Sequence, residues 1–244
     1  MPLVDMQGHF GVGADTLASR PPSLDVAVAY MNTFDIESMC LSSHEAAADL
    51  AGGNARLAEA IKTDARFKGW LELSVHQPDL SQTLARQYLV KTQWVGARFE
   101  QLASGDAIDN AGGHVVLNAL RRYGKPILVT TYAPDTMAAF LRTAREFHTL
   151  RFVLSPQTSA LTSDAPSAIR ELLNVSFLPS AAWCERDVVA QAIAILGERR
   201  VLWSSDWGKL NPAAAMGMVR DSAINKLQRE RIVMRNPREL LIHE

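Results

Sequence analysis

Short apolar and β-branched runs alternate along this chain with longer stretches whose apolar positions recur at helical spacing. The short runs predict strands at Leu3–Gln7, Ile36–Leu41, Lys68–Val75, Val95–Phe99, Ile127–Thr131, Arg151–Leu154, Val175–Leu178 and Arg200–Ser204. Helical patterns fall between them near 24–33, 54–63, 80–90, 114–123, 135–147, 165–173 and 186–196, and follow the last strand near 212–220, 223–234 and Pro237–Ile242. Ser23 is placed to cap the first helix, and Asp79 and Asp135, each directly after a proline, to cap the third and fifth. Tyr123-Gly124-Lys125-Pro126 reads as a glycine helix terminus leading into strand 5. Strands alternating with helices eight times predict an α/β fold, a distorted (β/α)8 barrel forming one domain over residues 1–244. An open doubly wound sheet fits less well, because no G-x-G-x-x-G turn follows strand 1. Parallel barrel strands are covered on both faces. Met39, Leu41, Leu71, Leu73, Ile127, Val129, Phe152, Leu154, Phe177, Val201 and Trp203 are therefore expected in the core.

Composition narrows the class without naming a chemistry. An apolar share of 48% supports a large core, and a net charge of −1 gives no footprint for nucleic acid or an anionic membrane. No apolar stretch approaches the roughly 20 residues of a membrane span, and no secretion signal precedes the first strand, so a cytoplasmic protein is expected. Cys40 and Cys184 lack metal-ligand spacing and read as reduced, buried thiols. His44, His76, His114, His148 and His243 share no spacing either.

Several segments carry a family resemblance in order. Asp5-Met6-Gln7-Gly8-His9-Phe10-Gly11 is similar to an H-x-H strand 1 whose first histidine has become glutamine. Gly53-Asn54-Ala55-Arg56-Leu57-Ala58-Glu59-Ala60 with Asp64-Ala65-Arg66-Phe67-Lys68-Gly69 is similar to an "N-x-x-x-A-E-A…P-x-R-F-x-G" approach to strand 3, and Val95-Gly96-Ala97-Arg98 to a "GvKl" strand 4. Val201 to Asp206 is similar to "vlfGSD", and Asn236-Pro237-Arg238-Glu239-Leu240-Leu241 to a closing "N-a-x-x-L-f". Together they resemble the "amidohydrolase 2" branch of the amidohydrolase superfamily, which implies hydrolase, lactonase or decarboxylase chemistry at a metal centre. The resemblance puts histidine or glutamate at Gln7, histidine at His9, histidine at Thr130 at the end of strand 5, and aspartate at Asp206. A catalytic histidine is implied at Pro156. Only His9 and Asp206 match.

Two functional classes follow. Catalytic zinc takes three protein ligands, and the amide of Gln7 and the hydroxyl of Thr130 are poor replacements for imidazole, so no metal or other cofactor is expected and zinc is disfavoured. In the first class, an enzyme of hydrolase or lyase type acts on a small, anionic organic substrate. His9 and Asp206, on neighbouring strands once the barrel closes, form its acid/base pair. Arg98 clamps a substrate anion, with Gln7, Thr130, Thr131 and Ser155 lining the mouth and Trp207 walling a pocket. An ion pair with Glu100 or Glu72 is the competing assignment for Arg98, as is packing for Trp183, Trp203 and Trp207. In the second class, the chain is an inactive barrel partnering an intact paralogue in a hetero-oligomer. A homo-oligomer is also allowed; nucleic-acid and membrane partners are not expected.

Overall fold

The computed structural model describes residues 2–12, 23–180, 182 and 187–241. Seven parallel strands pair in chain order: β1 Leu3–Phe10, β2 Ile36–Ser43, β3 Phe67–Glu72, β4 Trp94–Gln101, β5 Ile127–Thr131, β6 Phe152–Pro156 and β7 Val175–Phe177. Between and after them lie α1 Leu24–Phe34, α2 Leu50–Ala60, α3 Pro78–Tyr88, α4 Ala111–Leu120, α5 Pro134–Glu146, α6 Ser159–Ala168, α7 Val188–Leu196, α8 Pro212–Arg220, α9 Lys226–Glu230 and α10 Asn236–Leu241. Seven of the eight expected strand runs are thus strands of one curled parallel sheet. Trp183, Cys184, Ile242, His243 and the start of the helical stretch at 186 lie outside the described residues.

The expected eighth strand departs from a regular ladder. Glu198–Arg200 is a 3₁₀ turn, and the segment 201–207 makes only the isolated bridges Phe177↔Val201 and Gly8↔Trp207 with β7 and β1. Leu202 N–H donates to Phe177 O at 2.9 Å, Met6 N–H to Trp203 O at 3.3 Å, and His9 N–H to Trp207 O at 2.7 Å. The segment therefore joins β7 to β1 through single contacts. Asp206, at φ 51°, breaks the extended backbone before a ladder can propagate.

Local chemistry moves several helix starts. Ser23 caps α1 as expected, its side chain accepting from Val26 N–H. Asp79 and Asp135 do not cap; Pro78 and Pro134 occupy the first helical position, and the aspartates fall in the first turn. Proline fits there because it has no N–H to leave unsatisfied. α2 starts four residues early because Asp49 accepts from Gly52 N–H, and α6 starts at Ser159 because Thr158 accepts from Leu161 N–H. β3 ends at Glu72 rather than Val75, since Ser81 Oγ takes both Ser74 N–H and Ser74 O. The stretch 223–234 divides into α9 and a π-helical turn, Arg231–Arg235.

Strand alternation sorts the core into two clusters. Val4, Met6, Cys40, Trp70, Val95, Leu128, Val153, Leu178 and Leu202 form an inner one, drawn from all seven strands' vicinity and from the closing segment. A larger outer cluster packs strands against helices, and every residue expected in the core from its strand run is buried there. Side-chain layers filling a barrel rather than a pore are the expected solution for this topology. Among the described residues, no helix is long and apolar enough to cross a membrane.

Candidate active site

The site is built on an irregularity in β1. Its register against β2 shifts between Asp5 and Gly8, and such a bulge re-aims side chains. Met6 stays in the inner cluster while Gln7 brings its Nε2 to 3.2 Å from His9 Nε2. The Met6 carbonyl accepts from Trp70 Nε1, which reaches past β2 to bond it at 2.7 Å.

His9 is only 2% exposed. Ser42 Oγ lies 3.3 Å from His9 Nδ1 and donates to Gly8 O at the same distance. That donation uses the hydroxyl hydrogen, so Ser42 accepts from Nδ1–H and the Nε2 lone pair accepts from the Gln7 amide N–H. Asp206 Oδ1 stands 3.7 Å from Nε2, and Asp206 Oδ2 accepts from Ser180 Oγ at 3.0 Å. The His44 ring stacks on His9 with centroids 4.6 Å apart. Burial, followed by the charges of Lys209, His44 and Arg98, holds the His9 pKa well below the ordinary histidine value. His9 is thus a neutral imidazole at neutral pH, with a carboxylate placed to receive Nε2–H once the ring gains a proton.

The backbone around Asp206 enforces this approach. Its N–H donates to Gln7 O at 3.1 Å. Two residues on, Gly208 has φ +92°, and a Cβ there would sit 2.3 Å from His9 O. Glycine is what lets the chain pass this close to β1.

A second charged group lies on β3 and β4. Arg98, 2% exposed, donates through Nη1 to Glu72 Oε1 and through Nη2 to Glu100 Oε1, the latter at 3.1 Å. Tyr132 OH donates to Glu100 at 2.8 Å, and Lys209 Nζ lies 3.9 Å away. Burial opposes ionisation of Glu100, but Arg98 and Lys209 outweigh it and hold that carboxyl well below its usual range. Glu72 is pushed up to about 7 by burial, against the pull of Arg98. A cavity of about 230 Å³ is lined by Glu72 and Glu100, by Leu50, Leu73 and Phe99, and by the His76–Asp106 pair, whose Nε2 and Oδ1 are 2.9 Å apart.

The site residues expected from sequence separate into groups. Gln7, His9 and Asp206 meet directly. Thr130 and Ser155 pair across β5 and β6 and alternate with Leu128 and Val153 of the inner cluster, so they face the interior. Thr131 takes the opposite face, with Val129 of the outer cluster. Trp207 is 3% exposed and packs in that same outer cluster. Arg98 has the ion pairs that compete with its clamp assignment, and with both carboxylates. Ser42, His44, Ser180 and Lys209 were not singled out as site residues from sequence. Period-two alternation from Cys40 points to Ser42; the other three lie outside the strands and carry no such signal.

Among the described residues, no three His, Cys, Asp or Glu side chains converge as a metal-ligand group.

Comparison with known proteins bears on the family and the fold. A profile of the amidohydrolase family matches residues 25–241. No curated protein matches the sequence. The fold is similar to that of 2,6-dihydroxybenzoate decarboxylase from Rhizobium, with a TM-score of 0.79, 18% identity and 98% of each chain covered. It is also similar to dihydroxybenzoic acid decarboxylase from Polaromonas sp. JS666, solved with manganese and 2-nitroresorcinol, at a TM-score of 0.77 and 17% identity over 98% of this chain and 96% of that one. The 5-carboxyvanillate decarboxylase of Sphingomonas paucimobilis aligns over 98% of both chains at a TM-score of 0.70 and 14% identity. With this profile spanning most of its length, the chain belongs to the amidohydrolase family.

Proposed function

We propose that the chain is a hydrolase- or lyase-type member of its family that acts on a small organic acid without a bound metal. The observation that carries this reading is the neutral His9 imidazole, fixed at Nδ1 by Ser42 and with Asp206 Oδ1 at 3.7 Å from Nε2. A positioned imidazole of this kind accepts a proton from substrate or water, and the carboxylate stabilises the imidazolium so formed. The acid substrate class follows the dihydroxybenzoate and carboxyvanillate named for proteins of the same fold.

The donor set argues against the metal seen with some of those proteins. At the first ligand position Gln7 offers only the oxygen of a neutral amide, a poorer donor for a transition metal than imidazole or carboxylate, while its nitrogen is held 3.2 Å from His9. At the strand 5 position Thr130 Oγ1 reaches Phe99 O at 3.5 Å. Imidazole and one carboxylate alone fall short of the three ligands of a catalytic zinc.

Arg98 remains the group suited to a substrate carboxylate, on one condition. The substrate must displace Glu72 or Glu100 from the guanidinium. Glu72 is the one that yields, because it takes up a proton near pH 7 whereas Glu100 stays ionised. The test is a panel of aliphatic and aromatic carboxylates assayed for turnover with wild type, His9→Ala and Asp206→Asn. Loss of turnover in both variants, with circular dichroism unchanged, supports the reading; turnover indifferent to both overturns it.

A further inference from the structure

One buried carboxylate takes no part in the chemistry above. Asp5 is fully buried on β1, and its partners lie on the segment that follows the last helix crossover. Its Oδ1 accepts from Ser205 N–H at 2.9 Å, a contact spanning 200 residues of sequence, and from Gln7 N–H at 3.3 Å. Its Oδ2 accepts from the Ser205 hydroxyl. Ser205 Oγ in turn accepts from Trp207 N–H at 3.0 Å.

The residues held this way are informative. Ser205 and Trp207 are the two neighbours of Asp206, and Gln7, two residues before His9, lies in the β1 bulge with its side-chain nitrogen against the His9 ring. Asp206 is left-handed, at φ 51°, a conformation that costs energy for any residue with a Cβ and persists only when its flanks are fixed. Its own side chain makes none of the Asp5 contacts. The carboxylate of Asp5 therefore holds the N–H groups of Ser205 and Gln7 directly and that of Trp207 through Ser205 Oγ, while touching neither reacting side chain.

We propose that Asp5 is a positioning residue which, through Ser205, sets the distance and angle of Asp206 to the His9 imidazole. The inference rests on the acid/base reading of that pair. Buried groups that orient catalytic or ligating side chains commonly change affinity or activity by about 10–100-fold when removed, and Asp5 holds the corresponding place here. Ser205 is the intermediary, because its hydroxyl both donates to Asp5 and accepts from the peptide after Asp206.

The test uses full-length protein labelled with ¹⁵N-histidine and reads the ring resonances directly. Asp5→Ala and Ser205→Ala are each expected to move the His9 resonances while those of His76 and His114 stay in place. Asp5→Asn, which keeps an oxygen for the two N–H donors, is expected to restore them most of the way. A lower melting temperature in Asp5→Ala with His9 resonances at wild-type positions reduces Asp5 to a structural role and overturns the proposal, as does failure of Asp5→Asn to restore them. If Asp5→Ala does not fold, Ser205→Ala decides by the same readout. The resonances need no turnover, so an inactive wild type would refute the acid/base reading and leave this test standing. Where a substrate is found, a fall in kcat at constant KM is expected for Ser205→Ala; a change in KM alone counts against positioning.

Discussion

His9 keeps its acceptor nitrogen at Nε2, where the Gln7 amide N–H meets it, because Ser42 has taken Nδ1–H and burial keeps the ring neutral. Replacing it with alanine removes the base, and a positioned general base contributes about 10²–10⁴-fold to a rate. His9→Ala should therefore lower kcat by that order; a kcat within twofold of wild type would assign the chemistry elsewhere. The depressed His9 pKa also fixes a direction in pH. The base stays unprotonated through the range where an ordinary histidine titrates, so its acid limb in a kcat profile should fall below about 6.5. Asp5 behaves oppositely. Burial raises its pKa to about 7 in the folded chain, from 3.8. Between those values the folded state holds the extra proton, so this residue's stabilising contribution is full below about pH 4 and is lost as pH rises through 7. Asp5→Asn should remove that slope, which urea unfolding at pH 5 and pH 8 measures directly. An identical drop in wild type and variant would mean Asp5 does not titrate in this window. Arg98 shows what a single residue can hide. Its type suggests an anion clamp, but its partners Glu72 and Glu100 come into reach only through the β3–β4 register, which pairs Glu72 with Arg98.

At the scale of elements, seven strand runs were readable because β-branched and apolar residues cluster where parallel strands are covered on both faces. What sequence did not reveal was set by side-chain capture of backbone groups. Asp49 and Thr158 start helices earlier than the apolar pattern does, and Ser81 ends β3 early. The β1 bulge was equally silent, since a register shift is a property of two strands together. Yet that bulge turns Gln7 toward His9, so the candidate site was legible in its residue types and not in its geometry. The bulge also frees the Met6 carbonyl that Trp70 satisfies. Trp70→Phe keeps most of the ring but leaves this buried acceptor without its donor, which should cost about 1–3 kcal/mol by chemical denaturation. A loss below half of that would mean the carbonyl finds another partner. Leu128→Ala, in the inner cluster, should cost about 2–5 kcal/mol as a cavity opens among fully buried neighbours.

For the whole molecule, the polar mouth rests on an apolar floor, and its ionisable groups are shared out between two places. Neutral His9 faces Asp206 on one side, and Arg98 divides two carboxylates on the other. Glu100 connects the two, being near enough to act on the His9 titration and lying 3.9 Å from Lys209. If the chemistry proceeds without a metal, dialysis against a strong chelator should leave both turnover and melting temperature unchanged. Elemental analysis showing stoichiometric zinc or manganese retained in wild type and lost in His9→Ala would reverse that conclusion. Glu72→Gln gives a separate check. It removes the competitor at Arg98 and should tighten binding of a simple carboxylate such as benzoate, measured by calorimetry; weaker binding would detach Arg98 from substrate recognition.

The seam between the closing segment and β1 has a consequence for how the protein comes into being. Asp5 and Ser205 are 200 residues apart, and the bonds that bring Asp206 to Gln7 and Trp207 to His9 cross the same span. Contacts this distant in sequence are entropically late and slow to form. On a ribosome, β1 emerges first and must wait for nearly the whole chain before its partner arrives. The His9–Asp206 pair thus cannot exist in any nascent or truncated form lacking residues 201–207, and its appearance during refolding marks the completion of the ring.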